Sequence, residues 1–302
     1  MWTGEDSYPV APTADPDGLD EALLGIRPQQ VLLELTSRCN LRCIYCAVSQ
    51  PDYKGLDLEI TRDEVVEQIV SLGPSEFQIS GHGETTLVPG WVELAQALLK
   101  RGLAVTMISH LNKALSEEEI DTFSRFKRIT VSCDTHDPAV YQRLRRGGRL
   151  ERVANNIRRI IAACGRDGVP MPHIGLNCTA THINMLGVPD LVNWGADLGV
   201  SSVALTNLEE YPLIPNVEKP IHPSKVDPVG SLAALRKGGE IAAARGIDYY
   251  PMGDLEAALV EAVKALEAKE QAGGANGATT ASSAATNGAT NGASGSGAAD
   301  KR

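Results

Sequence analysis

The 302-residue chain has no apolar run long enough to cross a bilayer. Its N-terminus is acidic and lacks an apolar h-region, so no secretory signal is expected. Six cysteines are too few to staple a chain of this length, and three of them crowd into one segment. Reduced thiols and a cytoplasmic location are the expectation. Positive charge is in deficit as well: the formal net charge is -10. That disfavours nonspecific contact with a nucleic-acid backbone or an anionic membrane, and neither is expected as a partner. The densest basic stretch, Arg143, Arg145, Arg146, Arg149 and Arg152, reads either as a local patch or as a solvated loop and helix face. From about Gln271 to Arg302 the chain is almost entirely Ala, Gly, Ser, Thr and Asn. Such a segment has too little apolar side chain to offset its ordering entropy, so 271–302 reads as a disordered tail. Residues 1–27, with prolines, glycines and acids, read as an extended arm. That leaves 28–270 for a single domain, with no room for a cobalamin-binding one.

What is present alternates. Short β-branched runs fall near Val31–Thr36, Phe77–Ser80, Ala104–Ser109, Arg128–Asp134, His173–Thr181 and Ser202–Thr206, with a shorter seventh at Ile247–Tyr250. Between them lie helical patterns: Thr61–Leu72, Trp91–Lys100, Ser116–Phe126, Leu150–Cys164, Pro189–Leu198, Ser231–Arg245 and Leu255–Ala272. Ser116 followed by Glu119 is a capping box. This alternation predicts an α/β fold built of βαβ units, as a doubly wound sheet or an open (β/α)6-type partial TIM barrel with parallel strands. In both, ligands gather at the C-terminal ends of the strands.

Directly after the first strand comes Cys39-Asn40-Leu41-Arg42-Cys43-Ile44-Tyr45-Cys46. Three thiolates in this C-x3-C-x2-C spacing can converge on one metal centre. Soft thiolates select zinc, copper(I) or iron–sulfur clusters. Structural sites usually close with four ligands, yet the next histidine, His82, is a whole βα unit away. A three-thiolate cluster would leave one iron open to an exogenous ligand. Spacing alone leaves open a zinc site closed by a distant histidine, or plain buried cysteines.

This loop, with its aromatic Tyr45, resembles the cluster loop of the radical S-adenosylmethionine (radical SAM) superfamily. The resemblance implies a [4Fe–4S] cluster on Cys39, Cys43 and Cys46, its fourth iron chelated by S-adenosylmethionine, with Tyr45 against the adenine. Ser80-Gly81-His82-Gly83-Glu84 at the end of the second strand resembles the family's Gly-Gly-Glu motif, which receives the methionine amino group. Gly83 and Glu84 match; His82 stands where the first glycine is expected. The third strand ends at Ser109 and His110, where the family often carries polar groups near the ribose. Val131-Ser132-Cys133-Asp134, the Arg146-Gly147-Gly148 loop with the helix through Asn156, and the strand from Asn177 to Thr181 resemble the branch whose members often carry SPASM or twitch extensions. Ser132 and Asn177 are expected at the cofactor. The resemblance spans about Pro28 to Leu208.

Strand period adds a separate reading. Thr130, Ser132 and Asp134 share one face, as do Asn177, Thr179 and Thr181, which suits a polar lumen. Cys133 and Cys178 take the opposite faces and, with the helical Cys164, are expected to be buried structural cysteines. One cluster only is therefore expected. The resemblance implies reductive cleavage of S-adenosylmethionine and hydrogen abstraction from a substrate, with a low-potential flavodoxin or ferredoxin as electron donor. The expected substrate is a small polar metabolite, such as a sugar or aminocyclitol, undergoing epimerisation, dehydrogenation or elimination. Alternatives are radical modification of a peptide or protein side chain, or a non-catalytic zinc or iron–sulfur scaffold. Glu34 and Asp134 are candidate lumen acids. The Pro-rich segment from Asn207 to Asp227, with Glu209, Glu210 and Tyr211, is a candidate substrate loop or a solvated acidic one.

Overall fold

The computed structural model describes residues 28–58, 62–167, 170–209 and 218–278. The arm 1–27, the tail from 279 onward, and Glu210 and Tyr211 lie outside them. In chain order the elements are β1 (Gln30–Leu33), β2 (Arg42–Cys43), α1 (Arg62–Leu72), β3 (Glu76–Ile79), α2 (Trp91–Lys100), β4 (Ala104–Ser109), α3 (Glu117–Ser124), β5 (Arg128–Ser132), α4 (Pro138–Leu144), β6 (Arg145–Arg146), α5 (Leu150–Asp167), β7 (His173–Thr179), α6 (Val188–Leu198), β8 (Ser202–Thr206), α7 (Pro228–Arg245), β9 (Asp248–Pro251) and α8 (Leu255–Ala278).

Seven of the strands form one sheet in the order β1-β3-β4-β5-β7-β8-β9, every neighbouring pair parallel. Its edges, β1 and β9, do not meet, so the barrel is open. The fold expected from the alternation is present, with the seventh strand included.

The strand period decides which face is dry. Ile129 and Val131 of β5, and Ile174, Leu176 and Cys178 of β7, are buried under the helices. Thr130, Ser132, His173, Asn177 and Thr179 alternate with them and face the lumen half-exposed. Parallel strands are commonly apolar on both faces; here the inner face is polar, as befits a chamber rather than a core. The helices supply the other half of the apolar layer. Trp91, Leu94, Ala95 and Leu98 of α2 and Ile120 and Phe123 of α3 are all buried, at the i, i+3, i+4 spacing of one helix face. The three cysteines expected to be structural are likewise buried, Cys133 and Cys178 at 0% exposure and Cys164 at 5%.

Boundaries moved where loops took over. The first strand was expected to run to Thr36 but ends at Leu33, because the following residues turn to bond the loop at 56–58. Leu58 N–H donates to Leu35 O (2.9 Å), and Ser37 N–H to Leu56 O (2.8 Å). At the other end α8 continues to Ala278, past the point where the low-complexity composition begins. Two small elements had no periodic signature: α4, and the two-residue ribbon in which β2 pairs antiparallel with β6.

The capping box on α3 forms in both directions, Glu119 N–H to Ser116 Oγ (3.1 Å) and Ser116 N–H to Glu119 Oε2 (2.8 Å). Glu119 also accepts from Trp91 Nε1 (3.1 Å) and Lys113 Nζ (2.6 Å), so the cap ties α3 to α2. Ser116→Ala is expected to lower stability by about 1 kcal/mol, read as a lower urea midpoint with an unchanged slope.

Candidate active site

The cysteine loop leaves β1 and is pinned from three sides. Behind it, Thr36 Oγ1 donates to Asp57 Oδ1 (2.5 Å) and accepts from Arg38 N–H (3.0 Å). Beside it, Tyr53 Oη donates to Ser37 O (3.1 Å). At its far end Cys43 pairs with Arg145 in the ribbon, and Ile44 N–H donates to Leu144 O (2.9 Å). Cys43 is buried, while Cys39 and Cys46 are half-buried at the C-terminal mouth of the sheet. Burial raises the Cys39 thiol and pushes Cys43 up to about 12. A metal centre removes these protons outright. Among the described residues no trio of His, Cys, Asp or Glu is placed to hold a single metal ion. Cys39, Cys43 and Cys46 would hold an iron–sulfur cluster, for which three soft thiolates on one loop are a fitting donor set.

The loop after β3 is the second wall. A Cβ on Gly83 would stand 2.3 Å from Thr36 O and 2.4 Å from Arg38 O, so only glycine lets this loop press against the cysteine loop. Glu84 N–H then donates to Arg38 O (2.9 Å). The Glu84 carboxylate is 2% exposed and already engaged. Its Oε1 accepts from Thr86 N–H (3.2 Å), Thr86 Oγ1 (2.7 Å) and Ser109 Oγ (2.8 Å), and its Oε2 from His110 N–H (3.0 Å). What the loop leaves exposed is Gly81 and the ring of His82, whose own N–H is held by Glu34 Oε1.

Strand alternation sets Ser109 with Val105 and Met107 on the helix side, buried to 2%, and its hydroxyl donates to Glu84 Oε1. His110 is a strut too. Its Nδ1 accepts from Asn112 N–H (2.9 Å), so Nε2 carries the proton and meets Asn40 Oδ1 at 3.0 Å. Burial lowers the His110 pKa, keeping the ring neutral. Glu84 and His110 thereby lock Asn40, which sits between Cys39 and Cys43.

Beside the second cysteine, Cys43, lies a buried ion pair. Arg145 donates from Nε to Asp134 Oδ2 (2.7 Å) and from Nη2 to Oδ1 (2.9 Å), with side chains 8% and 0% exposed. Tyr45 Oη donates to Asp134 Oδ2 (2.5 Å), and the Arg145 guanidinium stands over the Tyr45 ring, 5.6 Å from its centroid. Thr179 N–H completes the set on Oδ1 (3.0 Å). Burial works against the charge on Arg145, but Asp134 holds its pKa well above the usual value. Burial, with Arg145 opposing and Asp134 adding, raises the Tyr45 phenol well above its normal range. The basic stretch is therefore not one solvated face: Arg145 is internal, and Arg143 pairs with Glu218. Asp134, a candidate acid, is consumed by these contacts. Burial, aided by Asp134, pushes Cys133 up to about 12, so this thiol stays protonated and inert.

Two cavities lie inside this wall. A small one of about 280 Å³ at the mouth is lined by Tyr45, Cys46, His82, Thr179, Thr206 and Glu209 among others. A larger one of about 1030 Å³ fills the lumen below, where Asn177, Thr130, Ser202 and Gln78 contribute polar groups. Thr206 lines both. The deeper space is the larger, but the mouth is where the thiols are. Ser132, in register with Asn177 across β5 and β7, is half-exposed on the same inner face. Glu34 also turns inward, accepting from His82 N–H (2.6 Å). Sequence reading had no means to find the work of Asn40, His110 and Arg145: Asn40 and His110 meet across seventy residues of chain, and the ribbon that turns Arg145 inward leaves no periodic trace in two residues.

An open parallel barrel with three spaced thiols at its C-terminal mouth is the site of an iron–sulfur enzyme of the partial-barrel class. The family model described as the Radical SAM superfamily matches residues 33–190, about half of the chain. The chain belongs to the radical SAM superfamily, whose enzymes use a [4Fe–4S] cluster and S-adenosylmethionine. Similar curated proteins include the GTP 3′,8-cyclase of Caulobacter vibrioides, 29% identical over 208 residues, covering 65% of this chain and 54% of that protein. The probable GTP 3′,8-cyclase of Methanocaldococcus jannaschii is 27% identical over 173 residues, covering 55% of each. The chain thus spans about half the length of the curated relatives it matches. Among solved structures, Streptococcus suis SuiB bound to S-adenosylmethionine superposes with a TM-score of 0.58 at 17% identity, covering 75% of this chain and 51% of that one. anSMEcpe with bound AdoMet gives 0.55 at 14%, covering 74% and 61%. At such identities the likeness is one of fold.

Arg145→Ala is expected to cost about 3–5 kcal/mol, since it strands a buried Asp134 carboxylate, and to free Tyr45; urea unfolding and tyrosine fluorescence read the two effects. Gly83→Ala is expected to keep the secondary structure but lose iron on desalting after anaerobic reconstitution, because its methyl group would collide with the backbone that carries Cys39.

Proposed function

We propose that this radical SAM enzyme acts on a small, hydroxylated, weakly charged metabolite held in the lumen, such as a sugar or an aminocyclitol. The observation that carries the reading is the lining of the large cavity. Thr130, Asn177, Ser202 and Gln78 offer neutral hydrogen-bonding groups, and the two cations at its floor, Lys127 and Arg128, share the one carboxylate of Glu76, which leaves the three with a single net positive charge. Neutral donors and acceptors match hydroxyls, whereas several phosphates would ask for unspent cations.

In this reading Cys39, Cys43 and Cys46 hold three irons, and Tyr45 bears on the adenine. The methionine end meets the backbone of the Gly81–Gly83 turn, since the Glu84 carboxylate is spent holding that turn. Ser132 and Asn177 lie on the inner face, where they can orient the ribose or the substrate. When bound, the cluster and S-adenosylmethionine supply reductive cleavage and hydrogen-atom abstraction from an unactivated carbon. The chain's own share is to position the reactants and keep water out. A low-potential flavodoxin or ferredoxin supplies the electron, and a cytoplasmic setting suits thiols that must stay reduced. Within the superfamily we place the chain near the branch that often carries SPASM or twitch extensions, on the Val131–Asp134 strand and the Arg146–Gly148 loop.

A nucleotide is the second reading, favoured by relatives that carry the name GTP 3′,8-cyclase. The single net positive charge that Lys127, Arg128 and Glu76 leave at the floor weighs against a triphosphate in the described lumen. Peptide modification has less support, because the peptide-bound neighbour resembles this chain in fold alone.

The reconstituted protein, given S-adenosylmethionine and dithionite, is expected to form 5′-deoxyadenosine, and Cys43→Ala none, by mass spectrometry. Of a panel of sugars, aminocyclitols and GTP, a sugar or aminocyclitol is expected to raise that yield and to pass deuterium into 5′-deoxyadenosine. Transfer from deuterated GTP instead would overturn the substrate reading while leaving the family intact.

A further inference from the structure

The ribbon of β2 and β6 places Arg42 directly opposite Arg146, and Cys43 opposite Arg145. Directly opposed residues share a face, and burial follows that rule. Cys43 and Arg145 turn inward and are buried, whereas Arg42 and Arg146 are exposed on the outer face. Like charges at opposed positions destabilise a strand pair. Nothing described here relieves this one. Arg42 donates only to backbone oxygens, those of Cys39 (2.6 Å) and Leu41 (2.9 Å). Neither arginine has an acidic partner among the described residues. The acids that serve neighbouring arginines are taken: Asp57 by Arg38, Glu218 by Arg143 and Asp134 by Arg145. Arg149, just beyond the ribbon, is exposed as well. A chain of net charge -10 thus concentrates unspent positive charge on the outer face of the strand whose inner face carries Cys43.

We propose that this ribbon is the docking surface for the electron donor, a small acidic one-electron carrier protein. Neither Arg42 nor Arg146 lines the lumen or the mouth cavity, so the pair faces a partner from outside rather than a ligand within. An acidic surface would offset the repulsion between the arginines and steer the encounter. It would also bring the carrier against the segment that holds a cluster ligand, which shortens the path of the electron. One electron leaves the reduced carrier, which is oxidised by one unit, and enters the oxidised cluster; no bond is made or broken at the interface. The inference rests on the reading of Cys39, Cys43 and Cys46 as cluster ligands.

Reduced flavodoxin is the probe, and its affinity for the reconstituted protein is measured by calorimetry at low and raised salt. Arg146→Glu is expected to weaken binding about tenfold at low salt, and Arg146→Lys to bind as the parent does. The difference is expected to shrink as salt screens it. Dithionite needs no docking surface, so 5′-deoxyadenosine formed with it should be the same in all three proteins, while the flavodoxin-driven yield falls in Arg146→Glu alone. Equal flavodoxin affinity in Arg146→Glu and the parent would overturn the proposal. So would parent binding that is indifferent to salt, a result that needs no variant to fold. Absence of 5′-deoxyadenosine with dithionite in every protein would instead strike the cluster reading, and the docking surface with it.

Discussion

Burying a charge is costly unless a partner and further hydrogen bonds stand ready, and the Asp134–Arg145 pair meets that condition at the centre of this molecule. Asp134 comes from the end of β5, and Arg145 from the ribbon that carries Cys43. Tyr45 reaches the same carboxylate from the cysteine loop, and Thr179 N–H from the end of β7. One ion pair therefore joins two barrel strands to both arms of the loop. Exchanging it for apolar groups could be neutral for stability, but it would remove the register between the thiols and the lumen.

A second hub answers it across the mouth. Glu84 gathers Thr86, Ser109 and His110, and His110 passes the restraint to Asn40. Gly83 lets the two loops touch backbone to backbone. Between the hubs the loop of three thiols has little freedom left. This is the preorganisation that a cluster with one open iron demands, since its fourth position must meet a ligand of fixed geometry. The residues that do the holding are spent on holding. Ser109 and Glu84 are both buried and hydrogen-bonded within this hub, while His82, Ser132, Asn177 and Thr206 keep exposed surface.

Much of this was legible in the chain as written. Period two in β5 and β7 separates the buried Ile129, Val131 and Cys178 from the lumen-facing Thr130 and Asn177, and the structure keeps that division. The capping box at Ser116 and Glu119 is local chemistry, complete within four residues. The spacing of Cys39, Cys43 and Cys46 pointed to a metal centre, and the resemblance of the loop narrowed it to a cluster. Ser109 was less legible because the last residue of a strand stands where the alternation and the loop compete. Arg145 was illegible because neighbouring arginines look alike in sequence; only the ribbon register turns one inward and the next outward.

The sequence by itself determined the alternation of strands and helices, the open parallel sheet that follows from it, and the loop that offers three soft ligands. These depend on hydrophobic period and on residues within a few positions of one another. The tertiary structure decided which acids are free and which are consumed, which arginine is a strut and which a surface, and how a cavity of about 1030 Å³ comes to share Thr206 with the one at the mouth. Those outcomes turn on contacts between residues far apart in the chain, such as Tyr45 with Asp134 and Ser109 with Glu84. No local pattern encodes them, because the free energy that selects them appears only when the strands that carry them are side by side.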